Sequence, residues 1–177
     1  RYFIAGDRAV VIDVPVQSKP GTTTRVGLSI CEDLWRGEDV GFASRYFDKP
    51  DPVRELVAAG ATVLVNPSAS PFVLGKGRRH RELLRTHAVR HGVTVAAVNQ
   101  VGGNDDLVLD GHPCVFGPGG ELLAAGPGFE ESMVLRDVGA GRTAAASTGS
   151  ASIEDPLLDS DDARQLYRAL VLGVRDY

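Results

Sequence analysis

The chain of 177 residues suffices for one globular domain, or for one domain and the beginning of another, at roughly 150 residues per domain. Hydrophobic residues at 43% and charged residues at 24% exclude disorder and collagen-like repetition. The longest nearly uncharged apolar stretch, 56–65, is broken at Gly60 and falls short of the about 20 residues a membrane helix needs; a net charge of −4 excludes a globally basic, nucleic-acid-binding surface.

In chain order, the run 25–30 (RVGLSI) predicts a short strand. Asp51 can cap a helix with Pro52 at its first position, Val53, Leu56 and Val57 on one face, and Gly60 at its end. ATVLV at 61–65 predicts a second strand. From 78 to 91 the positions Leu83, Leu84 and Ala88 repeat at helical spacing, Gly92 terminates the helix, and VTVAAV at 93–98 predicts a third strand. Continuous apolar strands alternating with helices predict a mainly parallel sheet covered on at least one face.

After residue 104 the texture changes to short strands at 107–109, 113–116, 121–125 and 133–138, with the GPGG turn at 117–120 between two of them, which predicts an antiparallel meander. Residues 139–152 (GAGRTAAASTGSAS) offer almost nothing large to bury and predict a linker. Acidic residues at 159–162 then precede a helix with Ala163, Leu166, Tyr167, Leu170, Val171 and Val174 on one face. A single helix cannot bury that stripe alone; it docks on the preceding residues or opens a second domain.

The three strands of the helix-strand alternation all finish on compact polar residues: Cys31-Glu32-Asp33, Asn66-Pro67-Ser68 and Asn99-Gln100. Ligands of such sheets gather at the carboxyl ends of strands. Cys31 at a strand-to-turn junction suits a nucleophile, and it equally suits a small buried filler. As a nucleophile it needs a base, and its anionic neighbours Glu32 and Asp33 mean that the partner comes from elsewhere. His80, His87 and His91 fall on one helical face but are interleaved with Arg78, Arg79, Arg81, Arg85 and Arg90, which predicts a solvated basic face rather than a metal site. His112 and Cys114 predict a structural pair. The basic stretch 76–90 has no interleaved aromatic residue on which a base could stack, so nucleic acid is not an expected partner. Lys76, expected in a loop after 68–72, is placed as a carboxylate-binding group would be. Neither a P-loop nor a dinucleotide fingerprint occurs, so no ATP site is expected within these residues. Two cysteines and no apolar leader predict free thiols in a cytoplasmic compartment, with no membrane partner. A first residue other than Met and a final helix still running predict a piece of a longer chain.

ICEDLW (30–35), NPSASPF followed by GK (66–72 and 75–76), VNQVGGNDDLVLDG (98–111) and LYRALVLGVRDY (166–177) together resemble the glutamine-dependent NAD+ synthetases. The resemblance implies an α/β fold, a partial nitrilase-like αββα sandwich with a short helical extension. It assigns 1–138 to the later part of a carbon-nitrogen hydrolase glutaminase domain, 139–158 to a linker, and 159–177 to the first helix of a truncated ATP-pyrophosphatase domain. It implies that Cys31 attacks the glutamine carboxamide to form a thioester and release ammonia. Ser70 and Lys76 would bind the substrate α-carboxylate, and Glu32 would contribute to its ammonium or, through the backbone, to oxyanion geometry.

The family's Glu base, catalytic Lys and a glutamine-contacting Tyr are expected ahead of Arg1, and its SGGxDS loop after Tyr177. ATP and Mg belong to that second domain, and no cofactor is expected within this chain. His80 stands where relatives carry an Arg, for which Arg79 or Arg81 can substitute, and the stretch 35–52 is longer than in relatives. The implied parent is a homo-oligomer that amidates deamido-NAD+ at the cost of ATP, with this portion alone inactive and exposing an apolar sheet face. The alternatives are a stand-alone nitrilase-family amidase or carbamoylase acting on another small amide, and a non-catalytic interaction module using the basic helix.

Overall fold

The structure, a computed structural model, describes residues 6–35, 51–138 and 153–177. Strands β1 (Val10–Pro15) and β2 (Thr23–Leu28) precede a 3-10 turn at Cys31–Leu34. Helix α1 (Pro52–Ala58), β3 (Val63–Ser68), α2 (Lys76–His91) and β4 (Thr94–Asn99) follow, then β5 (Val101–Asn104), β6 (Leu107–Asp110), β7 (Cys114–Phe116), β8 (Leu122–Ala125) and α3 (Asp162–Asp176). The punctuation acts as expected. Asp51 Oδ1 accepts the Arg54 N–H at 3.1 Å with Pro52 opening α1, and Gly92 takes the left-handed conformation that ends α2.

Six strands form one sheet in the order β1-β2-β3-β4-β7-β8. β2, β3 and β4 run parallel in the centre, while β1, β7 and β8 pair antiparallel at the flanks, so the sheet is mixed rather than mainly parallel. The expected meander divides: β7–β8 extends the main sheet, and β6 turns back on β5 as a separate hairpin. Residues 133–138 form no strand. Met133 and Leu135 stand out in solvent, and among the described residues no ladder partner holds this run extended.

Helices α1 and α2 cover one face of the sheet. Leu56, Leu64, Leu83, Leu84, Ala88, Val95 and Phe116 fill the space between, and Gly27 lets α1 approach, since a Cβ there would sit 3.3 Å from the Leu56 Cβ and 3.0 Å from Ala61 and Leu64. On the other face Val10, Ile12, Val14, Leu28 and Val98 remain exposed. Helix α3 docks on β5–β6, though not through the stripe read from its spacing. Ala169 and Leu172 are buried against Phe129, Phe72, Val101 and Val108, and Gly173 comes so close that a Cβ on Gly103 would lie 3.1 Å from its Cα. Leu166, Tyr167, Leu170, Val171 and Val174 stay exposed. Small residues decide the docking face because they permit the closest backbone approach. Of the expected linker 139–158, the part 139–152 lies outside the described residues; within 153–158, Asp155 and Leu157 are buried.

Candidate active site

The site begins where β2 runs out. Ser29 is buried, and its hydroxyl bonds Val65 O at 3.3 Å and accepts from Asn66 Nδ2 at 3.1 Å, which locks the ends of β2 and β3 together. Two residues on, Cys31 adopts φ 47°, a left-handed conformation that costs a residue with a Cβ about 1 kcal/mol. The turn is held by its neighbours. Asp33 accepts the Ile30 N–H at 2.7 Å, and Leu34 and Trp35 are buried in the core. Asp33 is therefore a turn cap, and Cys31 is lifted partly into solvent.

The wall facing the thiol is the loop after β3. Asn99, at the end of β4, grips Ser70 on both sides of its backbone: its Oδ1 accepts the Ser70 N–H at 2.8 Å and its Nδ2 donates to Ser70 O at 2.9 Å. Nδ2 also donates to Asp110 Oδ1 at 2.8 Å. Lys76 donates to Ser70 Oγ at 2.6 Å and to Pro71 O at 3.1 Å, with its ammonium 5.9 Å from the centre of the Trp35 ring. Cys31, Glu32, Trp35, Ser70, Lys76 and Arg79 all line one open cleft of about 610 Å³. Thus the four residues singled out from the sequence, Cys31, Glu32, Ser70 and Lys76, border the same space. Lys76 is the first residue of α2 rather than a loop residue. Among the described residues no group of three or more His, Cys, Asp or Glu is disposed to hold a metal ion.

Behind the loop lies a smaller pocket of about 40 Å³ bordered by His80, Asn99, Asp110, His112 and Leu157, large enough for one or two waters. His80 stacks on Trp35 with ring centres 5.2 Å apart and an interplanar angle of 9°. Burial first, and then the charges of Arg81 and Lys76, lower its pKa to about 4, so its ring is neutral at pH 7. Burial alone would raise the Asp110 pKa, but the His112 ring beside it and the hydrogen bond from Asn99 outweigh it and hold the carboxyl below its ordinary value. Burial pushes the Cys114 thiol up to about 11, which makes it inert. His112 faces Asp110, at 3.4 Å, and Phe129, rather than forming the pair expected with Cys114.

The solvated basic face expected on α2 forms only in part: Arg79, Arg85 and Arg90 are exposed. Arg81 and His87 are buried, Arg81 against Asp155 at 2.8 Å and His87 with Nε2 2.7 Å from Leu34 O. Their positions fall on the same helical face as Leu84 and Ala88, so the spacing carried this signal and the charge obscured it. Of the two arginines considered as stand-ins beside His80, Arg79 lines the cleft and Arg81 turns away. The stretch after Trp35, expected to be longer than in relatives, lies outside the described residues.

A mixed α/β sheet half-covered by helices, with a thiol raised at a strand's carboxyl end, defines an α/β protein of nitrilase-like fold. The family model described as Carbon-nitrogen hydrolase matches residues 47–147, more than half of the chain, and the chain belongs to that family. It is 37% identical over 155 residues to the glutamine-dependent NAD(+) synthetase of Synechocystis sp., a match taking in 86% of this chain and 26% of the relative. The chain therefore spans about a quarter of that relative's length. The solved glutamine-dependent NAD+ synthetase of Acinetobacter baumannii shares the fold with a TM-score of 0.68 at 23% identity, over 99% of this chain and 28% of that one. A mutant amidase from Nesterenkonia sp. AN1, which shows covalent addition of the acetamide moiety of fluoroacetamide at its active site cysteine, has a TM-score of 0.51 at 27% identity, over 71% of this chain and 40% of that one.

Proposed function

We propose that this chain carries the nucleophile and the carboxylate-binding residues of a glutaminase, within a protein of its relatives' length that passes the ammonia to ATP-dependent amidation of deamido-NAD+. The observation that carries the proposal is that Cys31, held in a left-handed turn, opens on the same cleft as the Lys76–Ser70 pair. An ammonium and a hydroxyl set side by side suit a carboxylate, and a thiol within the same cleft suits attack on a carboxamide at the other end of a short side chain.

In the proposed reaction the Cys31 thiolate adds to the carboxamide carbon of glutamine. The tetrahedral adduct collapses with loss of ammonia, the departing nitrogen taking the proton that the thiol gave to the general base, and leaves a thioester. Water then attacks the thioester carbon, releases glutamate and returns the proton to sulfur. Lys76 and Ser70 bind the α-carboxylate, and Glu32 faces the substrate ammonium or shapes the oxyanion site through its backbone. A single oxyanion donor of this kind is worth about 2.7–4 kcal/mol. The general base belongs to segments outside these 177 residues, so the chain in isolation is expected to be inactive, because members of such a constellation act as a unit. ATP with its magnesium and deamido-NAD+ belong to the remaining length of the relatives, and no residue of this chain is given a part in that step.

The likeness to the amidase favours a second reading, hydrolysis of a simple aliphatic amide. The two separate on the substrate's carboxylate. Ammonia release from glutamine and from propionamide by the full-length protein, with Cys31→Ala as control, tests both. The proposal expects glutamine to be strongly preferred, with activity lost in Cys31→Ala; equal rates on the two amides, or activity surviving without the thiol, overturn it. A glutamine analogue bearing an electrophilic ketone should add its mass to Cys31.

A further inference from the structure

The segment 153–160 and helix α3 close on the carboxylate-binding loop from both of its ends. Arg81 on α2 places Nε and one terminal nitrogen on the two carboxylate oxygens of Asp155, at 2.8 and 3.2 Å, and its other terminal nitrogen on His112 O at 3.1 Å. The two side chains are 6% and 4% exposed, so this bidentate pair is an interior strut rather than a surface contact. Asp155 Oδ1 also accepts the Leu157 N–H at 3.1 Å, which folds the segment so that Leu157 drops onto Gly77, where a Cβ would lie 3.0 Å from the leucine methyl carbons.

Gly77 directly follows Lys76. Arg78 adds a bond to Asp162 at 2.6 Å and one to Ser160 O at 2.8 Å. At the far end of the loop Phe72 packs edge-on against Phe129, with 5.4 Å between ring centres, beneath Ala169 and Leu172 of α3. The stretch bearing Ser70 and Lys76 is thus held at Phe72 by the cluster that Phe129 forms with Ala169 and Leu172, and at Gly77 by Leu157.

We infer that Asp155 is a positioning residue for substrate binding: through Arg81 and Leu157 it fixes the first turn of α2 and so the point at which Lys76 meets Ser70. The inference rests on the reading of that pair as the substrate-carboxylate site. A bond as short as that between Lys76 and Ser70 leaves little slack, and a misplacement of about 1 Å can cost roughly a hundredfold.

The test uses the full-length protein and two readouts: KM and kcat for glutamine, and the ratio of Cys31 alkylation by iodoacetate to that by iodoacetamide. The two reagents differ in a carboxylate, so their ratio senses the cation facing the thiol whether or not glutamine is the substrate. Asp155→Asn is expected to raise KM roughly tenfold and lower the alkylation ratio toward that of Lys76→Met, with kcat and the iodoacetamide rate held within about twofold. Asp155→Glu should recover part of the loss. Because Asp155→Asn strands a buried guanidinium, Arg78→Ala, which cuts the strap at a half-exposed contact, is measured beside it and should shift both readouts in the same direction. Folded variants with KM and ratio at the wild-type values overturn the inference. So does a fall in kcat and thermal midpoint with KM unmoved, which marks a merely structural residue. A wild-type protein that spares glutamine while Asp155→Asn still lowers the ratio removes the substrate reading and keeps the positioning role.

Discussion

The Lys76 ammonium donates to the Ser70 hydroxyl at 2.6 Å, six residues back along the chain, and this bond ties the first turn of α2 to the loop after β3. Because the hydroxyl oxygen accepts from lysine, its own proton is free to be donated elsewhere. The pair can offer an anion two donors, one of them charged, on the same cleft that the Cys31 thiol lines.

A lysine used this way contributes to binding more than to bond cleavage. Lys76→Met, which keeps the stem and drops the charge, is expected to lose about 1.5–3 kcal/mol of binding, or roughly tenfold to a hundredfold in KM for glutamine. Ser70→Ala should lose less, since the lysine can still meet the anion. Steady-state kinetics on the two variants check the order, and a loss confined to kcat would remove Lys76 from the binding role.

Asn99 holds the backbone that presents Ser70, with one side-chain amide satisfying both Ser70 N–H and C=O as a strand neighbour would. Asn99→Ala leaves those groups and one bond to Asp110 without their partner, at an expected cost of about 2–3 kcal/mol in urea denaturation. KM should rise alongside, because the loop is released. Asn99→Asp keeps the acceptor for the Ser70 N–H but sets a second carboxylate against Asp110, and should be the worse of the two.

The turn at Cys31 makes an opposite stability prediction. At φ 47° any side chain with a Cβ is strained, so Cys31→Gly should be more stable than Cys31→Ala by about 1 kcal/mol, both being inactive. Equal denaturation midpoints for the two variants would remove strain from the account. A residue with a Cβ kept in a conformation that glycine would adopt more cheaply is the pattern expected where local conformation is held for chemistry rather than for stability.

Much of this arrangement was legible from pattern alone. Asp51-Pro52, Gly92 and the polar residues closing β2, β3 and β4 carry local backbone physics, and local signals survive without a partner in view. What escaped was set by distant contacts. Arg81 meets Asp155 across 74 positions, and no spacing rule relates them. The buried side of α3 was misjudged because Ala169 and Gly173 look weakly apolar beside Leu166, Leu170 and Val174, yet close approach selects the small residues. The division of the expected meander between two sheets followed from which edge was free to pair, a property of the assembled sheet. Cys31 and Lys76 are legible from their places beside strand ends, Glu32 and Ser70 through motif likeness, and their common cleft comes from the parallel register that sets the ends of β2, β3 and β4 side by side.

His80 makes the stability of this fold depend on pH. Its pKa falls from 6.5 to about 4 on folding, chiefly through burial and then through Arg81 and Lys76. Between those two values the unfolded chain binds the proton and the folded one does not, so acid favours unfolding. The contribution is fully present above pH 6.5, declines as pH falls toward 4, and amounts to about 3 kcal/mol over the window. His91 shifts in the same direction and adds to the slope, whereas the lowered Asp110 pKa acts only below its ordinary value of 3.8. His80→Phe keeps a flat ring against Trp35 and removes the titration. Its urea midpoint should vary less between pH 7 and pH 4.5 than that of the unaltered protein. Identical slopes in the two proteins would show that the acid sensitivity arises elsewhere.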